Sequence, residues 1–377
     1  MKKSLFLPII CLSVWLLCMP LSCALADENV CLVADESGAP LFAFAGSVTV
    51  GDEYVSADNT LYRISSVQGA QAVARKIGTE PMPDVSWLDT GAALPVFMAL
   101  PAAASNQSPD ANKLIAMYVT HSDESYIPSD GTQSIAGQGG IYDVARAFRD
   151  ALQQKGVDVI LDESTHLPHD SGAYRRSRRT AERLLQKRPD AIIDIHRDGI
   201  PNPDEYTTTI EGKNASQVRL LVGRGNQNSE VNRAFARQIK AVADKKYPGL
   251  IKDIFIGKGN YNQDLSPNAI LLEFGTHTIS KERVLESTDV MADVVHTSLY
   301  GAQTGSAKSP SSAASSAKAR DKGAFSGAAV LIVLAVVGVI IFALAQTGSA
   351  RAAGGKIAGG LSEMTGGLLG KGNRKKD

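Results

Sequence analysis

KLIAMYVTHSDESYIPSDGTQSIAGQGGIYDVARAFRDALQQKGVDVIL, residues 113–161, decides the fold class. Leu114 to Val119 is an apolar run of strand length. Ile141, Val144, Ala145, Phe148 and Leu152 then recur at helical spacing and mark one face of a helix, and Val157 to Leu161 is a second apolar run. The alternation continues with a basic helix from Gly172 to Gln186, strands at Ala191 to Ile195 and Arg219 to Val222, a helix from Ser229 to Lys245, a strand at Ala269 to Leu272 and a last helix from Ser280 to about Tyr300. This order predicts an α/β domain over 113–303, built on a mainly parallel sheet with helices on both faces.

Upstream, residues 27–84 read as a small β-rich domain. Alternating segments at Leu41 to Val50 and Thr60 to Val67 flank a turn at Gly51-Asp52, and a helix-like Ala70 to Lys76 follows. Residues 85–112 carry several prolines and Ser105-Asn106-Gln107-Ser108-Pro109, as a linker does. Residues 1–26 read as an export signal, with Lys2 and Lys3, an apolar Leu5 to Cys18 and a small-residue cleavage site at Ala24-Leu25-Ala26. Leu21-Ser22-Cys23 also resembles part of a lipobox, but Pro20 stands where an aliphatic residue is usual. Cleavage before Asp27 leaves Cys31 as the only thiol, which excludes an internal disulfide and a Cys-based zinc site.

Downstream, SAKSPSSAASSAKARDK lies in a small, polar tether over 304–322. AFSGAAVLIVLAVVGVIIFALA, within 323–346, is uncharged and long enough to cross a hydrocarbon core of about 30 Å. The basic residues of the tail over 347–377 place it in the cytoplasm, so the sequence predicts a single-pass membrane protein with its folded part outside. Lysine plus arginine and aspartate plus glutamate both number 39, and the zero net charge gives no reason to expect a nucleic-acid partner.

Ligands of open α/β sheets bind beyond the carboxyl ends of the strands. Three predicted strands deliver reactive side chains there: His121 in IAMYVTHSDESY, His196 in AIIDIHRD and Glu273 in AILLEFGTH. Two imidazoles and a carboxylate are a common ligand set for catalytic zinc, with a second carboxylate as general base. Glu124 is the candidate third ligand and Glu273 the candidate base, with Asp123, Asp194 and Asp198 competing for either post. An ion pair with an arginine is the rival explanation of a glutamate in so apolar a strand. His166 and His169 in THLPHD read as surface or substrate-contact residues, His277 as a residue near Glu273, and His296 as a packing or solvent-facing residue. Arg175, Arg176, Arg178, Arg179 and Arg183 read chiefly as a solvated helix face. The clusters Arg224-Gly225-Asn226-Gln227-Asn228 and Tyr261-Asn262-Gln263-Asp264 suit loops over the crevice. The candidate substrate-binding residues are Arg197, Asp198, Arg224, Asn228, Tyr261, Asn262 and Gln263.

Taken together, THSDESYIPSDG at 120–131, GGIYDVARAF at 139–148, HDSGAYRRSRRT at 169–180, DIHRD at 194–198, VGRGNQN at 222–228, YPGL at 247–250 and YNQDLSPNAILLEFG at 261–275 resemble the stage II sporulation protein P family. Residues 48–76 look like that family's N-terminal region. The resemblance implies a zinc-dependent N-acetylmuramoyl-L-alanine amidase, with endopeptidase activity as well, on a zinc amidase-like fold. His121 and His196 take the zinc-ligand places and Glu273 the catalytic-glutamate place. Related amidases carry the remaining ligand glutamate in the helix after the first histidine; GQGGIYDVARAF has none, and Glu124 stands in for it. The resemblance further implies remodelling of septal peptidoglycan during engulfment in endospore formation, with a glycan-cleaving hydrolase and a membrane scaffold protein as partners. The family more familiarly has an N-terminal anchor, in contrast to the C-terminal one read here. The rival readings are a catalytically inactive peptidoglycan-binding scaffold of the same fold and a metal-dependent carboxypeptidase or deacetylase. A serine hydrolase fits poorly, because no G-x-S-x-G elbow is present.

Overall fold

The computed structural model describes residues 30–90 and 113–301. The expected signal, most of the linker, the tether, the membrane span and the tail lie outside the described residues. Among the described residues no helix is long and apolar enough to cross a membrane.

The N-terminal segment forms β1 (Val30–Asp35), β2 (Pro40–Ala45), β3 (Glu53–Val55), β4 (Thr60–Gln68) and β5 (Gln71–Thr79). The rest contributes β6 (Leu114–Tyr118), α1 (Ile141–Gln154), β7 (Asp158–Asp162), α2 (Ala173–Leu185), β8 (Ala191–Asp198), β9 (Thr207–Ile210), β10 (Lys213–Ser216), β11 (Val218–Gly223), α3 (Ser229–Lys246), β12 (Ile251–Gly257), β13 (Ala269–Thr276) and α4 (Lys281–Tyr300). Eleven strands make one sheet in the order β2-β1-β5-β4-β3-β12-β11-β13-β8-β6-β7, and β9 and β10 pair separately. The β-rich N-terminal segment thus continues the sheet of the α/β part, through antiparallel pairing of β3 with β12.

The sheet is mixed, which corrects the expectation of a mainly parallel one. The run β13-β8-β6-β7 is parallel throughout, as is β11 with β12. β11 runs antiparallel to β13, and β3 to β12 and to β4. The physical reason is connectivity. Where a helix crosses over, as α3 does between β11 and β12, the next strand is parallel; between β8 and β11 the chain makes only the β9–β10 excursion and returns reversed. The helix-like Ala70 to Lys76 is also corrected, to strand β5. Ala72 and Ala74 alternate into the core at a period of two.

Helices cover both faces. α1, α3 and α4 pack on one, where Phe148, Leu152, Phe235, Ile239, Met291 and Val295 meet Ile115, Met117, Ile193, Leu220 and Leu272 of the sheet. α2 lies on the other, with Ala181 and Leu184 against Ala116, Tyr118 and Ile192. Beside it, Val33, Phe42 and Tyr54 of the N-terminal strands pack on Leu221, Phe255 and Leu271. The N-terminal strands therefore complete the second face next to α2. β13, β8 and β6 are neighbours, so the strands that carry Glu273, His196 and His121 deliver their carboxyl ends side by side.

Candidate metal centre

His121 follows β6, Glu124 lies three residues on in the same loop, and His196 stands on β8. Their ligand atoms all lie within 4.8 Å of one another. Glu124 Oε1 is 3.1 Å from His121 Nδ1 and 3.3 Å from His196 Nδ1, and its Oε2 accepts from the Arg197 backbone N–H at 2.9 Å. Ligand atoms each at about 2.0–2.1 Å from a tetrahedral zinc ion stand roughly 3.3 Å apart, so this donor set fits zinc. The side chains are 16% (His121), 3% (Glu124) and 2% (His196) exposed, and His121 is thus the one reached from solvent.

The loop that holds Glu124 is fixed by contact. A Cβ on Gly139 would stand 2.3 Å from the Glu124 carbonyl oxygen, so only glycine fits at this close approach of two backbones. Behind His196, Asp194 Oδ1 lies 3.2 Å from Nε2, and the same carboxylate accepts from the Thr120 N–H and hydroxyl at 2.9 and 2.6 Å. The carboxylate lies close enough to raise the basicity of the ring, although Nε2 makes no well-directed hydrogen bond among the described residues. Burial opposes charge on His196, but the Asp194 and Glu124 carboxylates outweigh it and hold the imidazole pKa well above its ordinary value. Burial likewise opposes ionisation of Glu124, and His196 with the other neighbours reverses it, leaving that carboxyl well below the usual range. His121 is pulled down, by burial first.

Glu273 pairs in register with His196 on β8 and with Arg219 on β11. Burial pushes its carboxyl up to about 8, with Asp198 and Glu124 adding to the rise against the opposing pull of His196 and Arg219. An arginine does stand in the next strand, but its guanidinium is engaged elsewhere. Arg219 donates to Asp253 at 2.8 and 3.0 Å and to Asp198 at 2.9 Å, while Glu273 Oε2 is buried with no hydrogen-bond partner among the described residues. Among the described residues, the ion pair with an arginine that would explain Glu273 is therefore not made.

The residues expected over the crevice divide. Asp198 is bound by Arg219, Tyr206 and the Gly199 N–H. Arg224 reaches Asp52, Thr49 and Val50 of the N-terminal segment. Asn228 donates to the carbonyls of Gln263 and Asp264, Asn262 to Tyr174 and Ser177, and Gln263 bridges Gly223 and Leu221. Arg197 clasps the Glu124 loop through the carbonyls of Ser125 and Gln133. Tyr261 meets Tyr174 edge-on, with ring centroids 5.4 Å apart.

Of the other histidines, His166 has both ring nitrogens engaged, with Val119 and Thr180. His277 is buried at the end of β13, where its N–H donates to the Asp198 carbonyl. His296 lies 3.0 Å from Lys113 Nζ. His169 stacks on His121 at 3.8 Å between centroids. Tyr174, at the start of α2, stands edge-on to His121 at 5.6 Å and was not among the candidates; its position after a loop that opens a helix was the available signal.

Fold and site together define a mixed α/β protein with a largely buried His–Glu–His group that could hold a metal ion, beside a glutamate with no hydrogen-bond partner for its Oε2 among the described residues. The profile of the family described as Stage II sporulation protein P (SpoIIP) matches residues 63–296, more than half of the chain, and the chain belongs to that family. It is 31% identical over 201 residues to Stage II sporulation protein P of Bacillus subtilis (strain 168), a match that covers 48% of this chain and 50% of that protein. The chain thus spans about half the length of the curated relative it matches. Among solved structures it is similar to the N-acetylmuramoyl-L-alanine amidase AmiC2 of Nostoc punctiforme, with 16% identity, a TM-score of 0.32, and coverage of 50% of this chain and 96% of that one. The CwlD amidase from Clostridioides difficile, solved in complex with the GerS lipoprotein, gives 15% identity, a TM-score of 0.32 and the same coverages.

Proposed function

We propose that this chain is a zinc-dependent peptidoglycan hydrolase, an N-acetylmuramoyl-L-alanine amidase with a second, endopeptidase action, that remodels septal cell wall during engulfment in endospore formation. The observation that carries the reading is the gathering of His121, Glu124 and His196 beside a half-buried Glu273, whose Oε2 has no hydrogen-bond partner among the described residues. His121 and His196 would hold zinc through their Nδ1 atoms, with Glu124 as the third ligand and the Asp194 charge behind His196 raising its basicity. When bound, zinc supplies a Lewis acid that polarises the scissile carbonyl and lowers the pKa of water. Glu273 accepts the proton as the water oxygen bonds to the lactyl carbonyl carbon. It returns that proton to the alanine nitrogen as the carbon–nitrogen bond breaks, so the products are a free lactyl carboxylate and a free stem peptide. Family membership supports the sporulation role. The export signal and the C-terminal apolar span support a membrane-tethered chain with its site outside the cell, acting with a glycan-cleaving hydrolase and a membrane scaffold protein.

The test is digestion of purified peptidoglycan by the segment 27–322, with and without chelator, with products read by mass spectrometry. Free stem peptides that vanish with chelator and return with zinc are expected. Absence of products from a zinc-loaded chain, even with partner hydrolase and scaffold protein added, would overturn the amidase in favour of a binding protein.

A further inference from the structure

His169 and Asp123 form a pair that the metal-binding set does not use. The Asp123 carboxylate lies 3.0 and 3.2 Å from His169 Nδ1 and accepts from the Ser134 hydroxyl at 2.6 Å, which fixes it in place. With Nδ1–H donated to a carboxylate, the neutral imidazole carries its lone pair on Nε2. No partner meets Nε2 among the described residues. The His169 side chain is 40% exposed, and its ring lies on that of His121 at 3.8 Å and 26°. His121 is the most exposed of the three grouped side chains, so the exposed His169 ring stands at the solvent-facing side of the group.

We propose that His169 is a further substrate-contacting residue, whose Nε2 accepts a hydrogen bond from a peptide N–H next to the bond being cut, with Asp123 as its positioning residue. This rests on the amidase reading. The chemistry of that substrate selects the contact. On the sugar side, the lactyl carbon and its ether oxygen offer no donor, and the first ones, the 2-acetamido N–H and a ring hydroxyl, lie farther from the scissile carbonyl than the N–H groups of the peptide. On the peptide side come the amide N–H of alanine and the N–H of the next residue. An acceptor one ring's width from His121 therefore finds its partner in the stem peptide.

The test measures binding of N-acetylmuramoyl-L-alanyl-D-isoglutamine, and separately of N-acetylmuramic acid, to the zinc-loaded full chain carrying Glu273→Gln, by calorimetry and with zinc content assayed alongside. Adding His169→Ala should weaken dipeptide binding by about three- to tenfold, the usual worth of one net hydrogen bond, with zinc stoichiometry unchanged. His169→Gln, which keeps an acceptor, should recover part of the loss, and Asp123→Asn should show a smaller loss. Unchanged dipeptide affinity in His169→Ala overturns the inference alone, as does weakening that comes with loss of zinc or that appears equally with the free sugar. A Glu273→Gln parent that holds zinc but binds no dipeptide overturns this inference together with the amidase reading.

Discussion

Arg219→Met removes the buried cation on which the region behind the site depends. Arg219 is fully buried, bridges Asp253 of β12 to Asp198 of β8, and reaches the Ala43 carbonyl of β2 at 3.3 Å. Its guanidinium also lies 5.5 and 5.8 Å from the Phe42 and Phe44 rings. Without it, Asp198 keeps the Tyr206 hydroxyl and the Gly199 N–H, both at 2.7 Å, whereas Asp253 loses both of its side-chain bonds and remains buried. Removing one partner of a buried ion pair costs about 3–5 kcal/mol. With a urea slope of roughly 2–3 kcal/mol/M, the unfolding midpoint of the segment 27–322 should fall by about 1.5 M. Adding Asp253→Asn should return part of that loss, since the carboxylate left with no hydrogen bond is then neutral, while Asp198 keeps its two. A loss below about 1 kcal/mol, or no recovery in the double variant, would refute the argument that this pair is held by desolvated charge.

Three further outcomes follow from the same packing. Gly139→Ala should displace the Glu124 backbone and weaken zinc binding by roughly 10-fold or more, read by competition with a chelator; wild-type affinity would show that the loop moves at no cost to the site. Phe148→Ala, in the core between α1 and Phe274, should cost about 3–5 kcal/mol in urea unfolding with metal affinity retained. His296 has its pKa lowered from 6.5 to about 4, by burial first and then by the Lys113 charge. Its folded state thus binds a proton less readily than the unfolded chain, so its stabilising contribution is complete above about pH 6.5 and is lost as pH falls from there to about 4. The loss is on the order of 2 kcal/mol once solvent screening is allowed for, and a His296→Gln chain should show a flatter acid limb; an identical pH profile would contradict it.

Much of the α/β part is legible because its central strands are buried on both faces and read as continuous apolar runs, while α1 and α2 each show a single apolar stripe. Where the sequence misleads, a polar residue has a buried partner. β12, IKDIFIG, is broken by Asp253, whose charge is explained only by Arg219, 34 positions away. β5 reads as helical because its buried residues are alanines, which favour helix, whereas β1 and β4 on either side draw it into the sheet. The convergence of His121, His196 and Glu273 could be read from their strand-end positions. The internal bonding of Asp198, Arg224, Asn262 and Gln263 could not, since a polar residue in a loop looks the same whether it faces a ligand or ties two loops together. The tie of Arg224 to Asp52 spans 172 positions and has no local signature.

Zinc content, measured by atomic emission after dialysis of the purified chain against zinc and then against metal-free buffer, tests most directly whether these three side chains form a metal centre. One zinc per chain in the parent, with substantially less in His196→Ala and in Glu124→Gln at unchanged circular dichroism, is the predicted result. A folded parent without zinc, or a His196→Ala chain that retains it in full, would contradict the assignment.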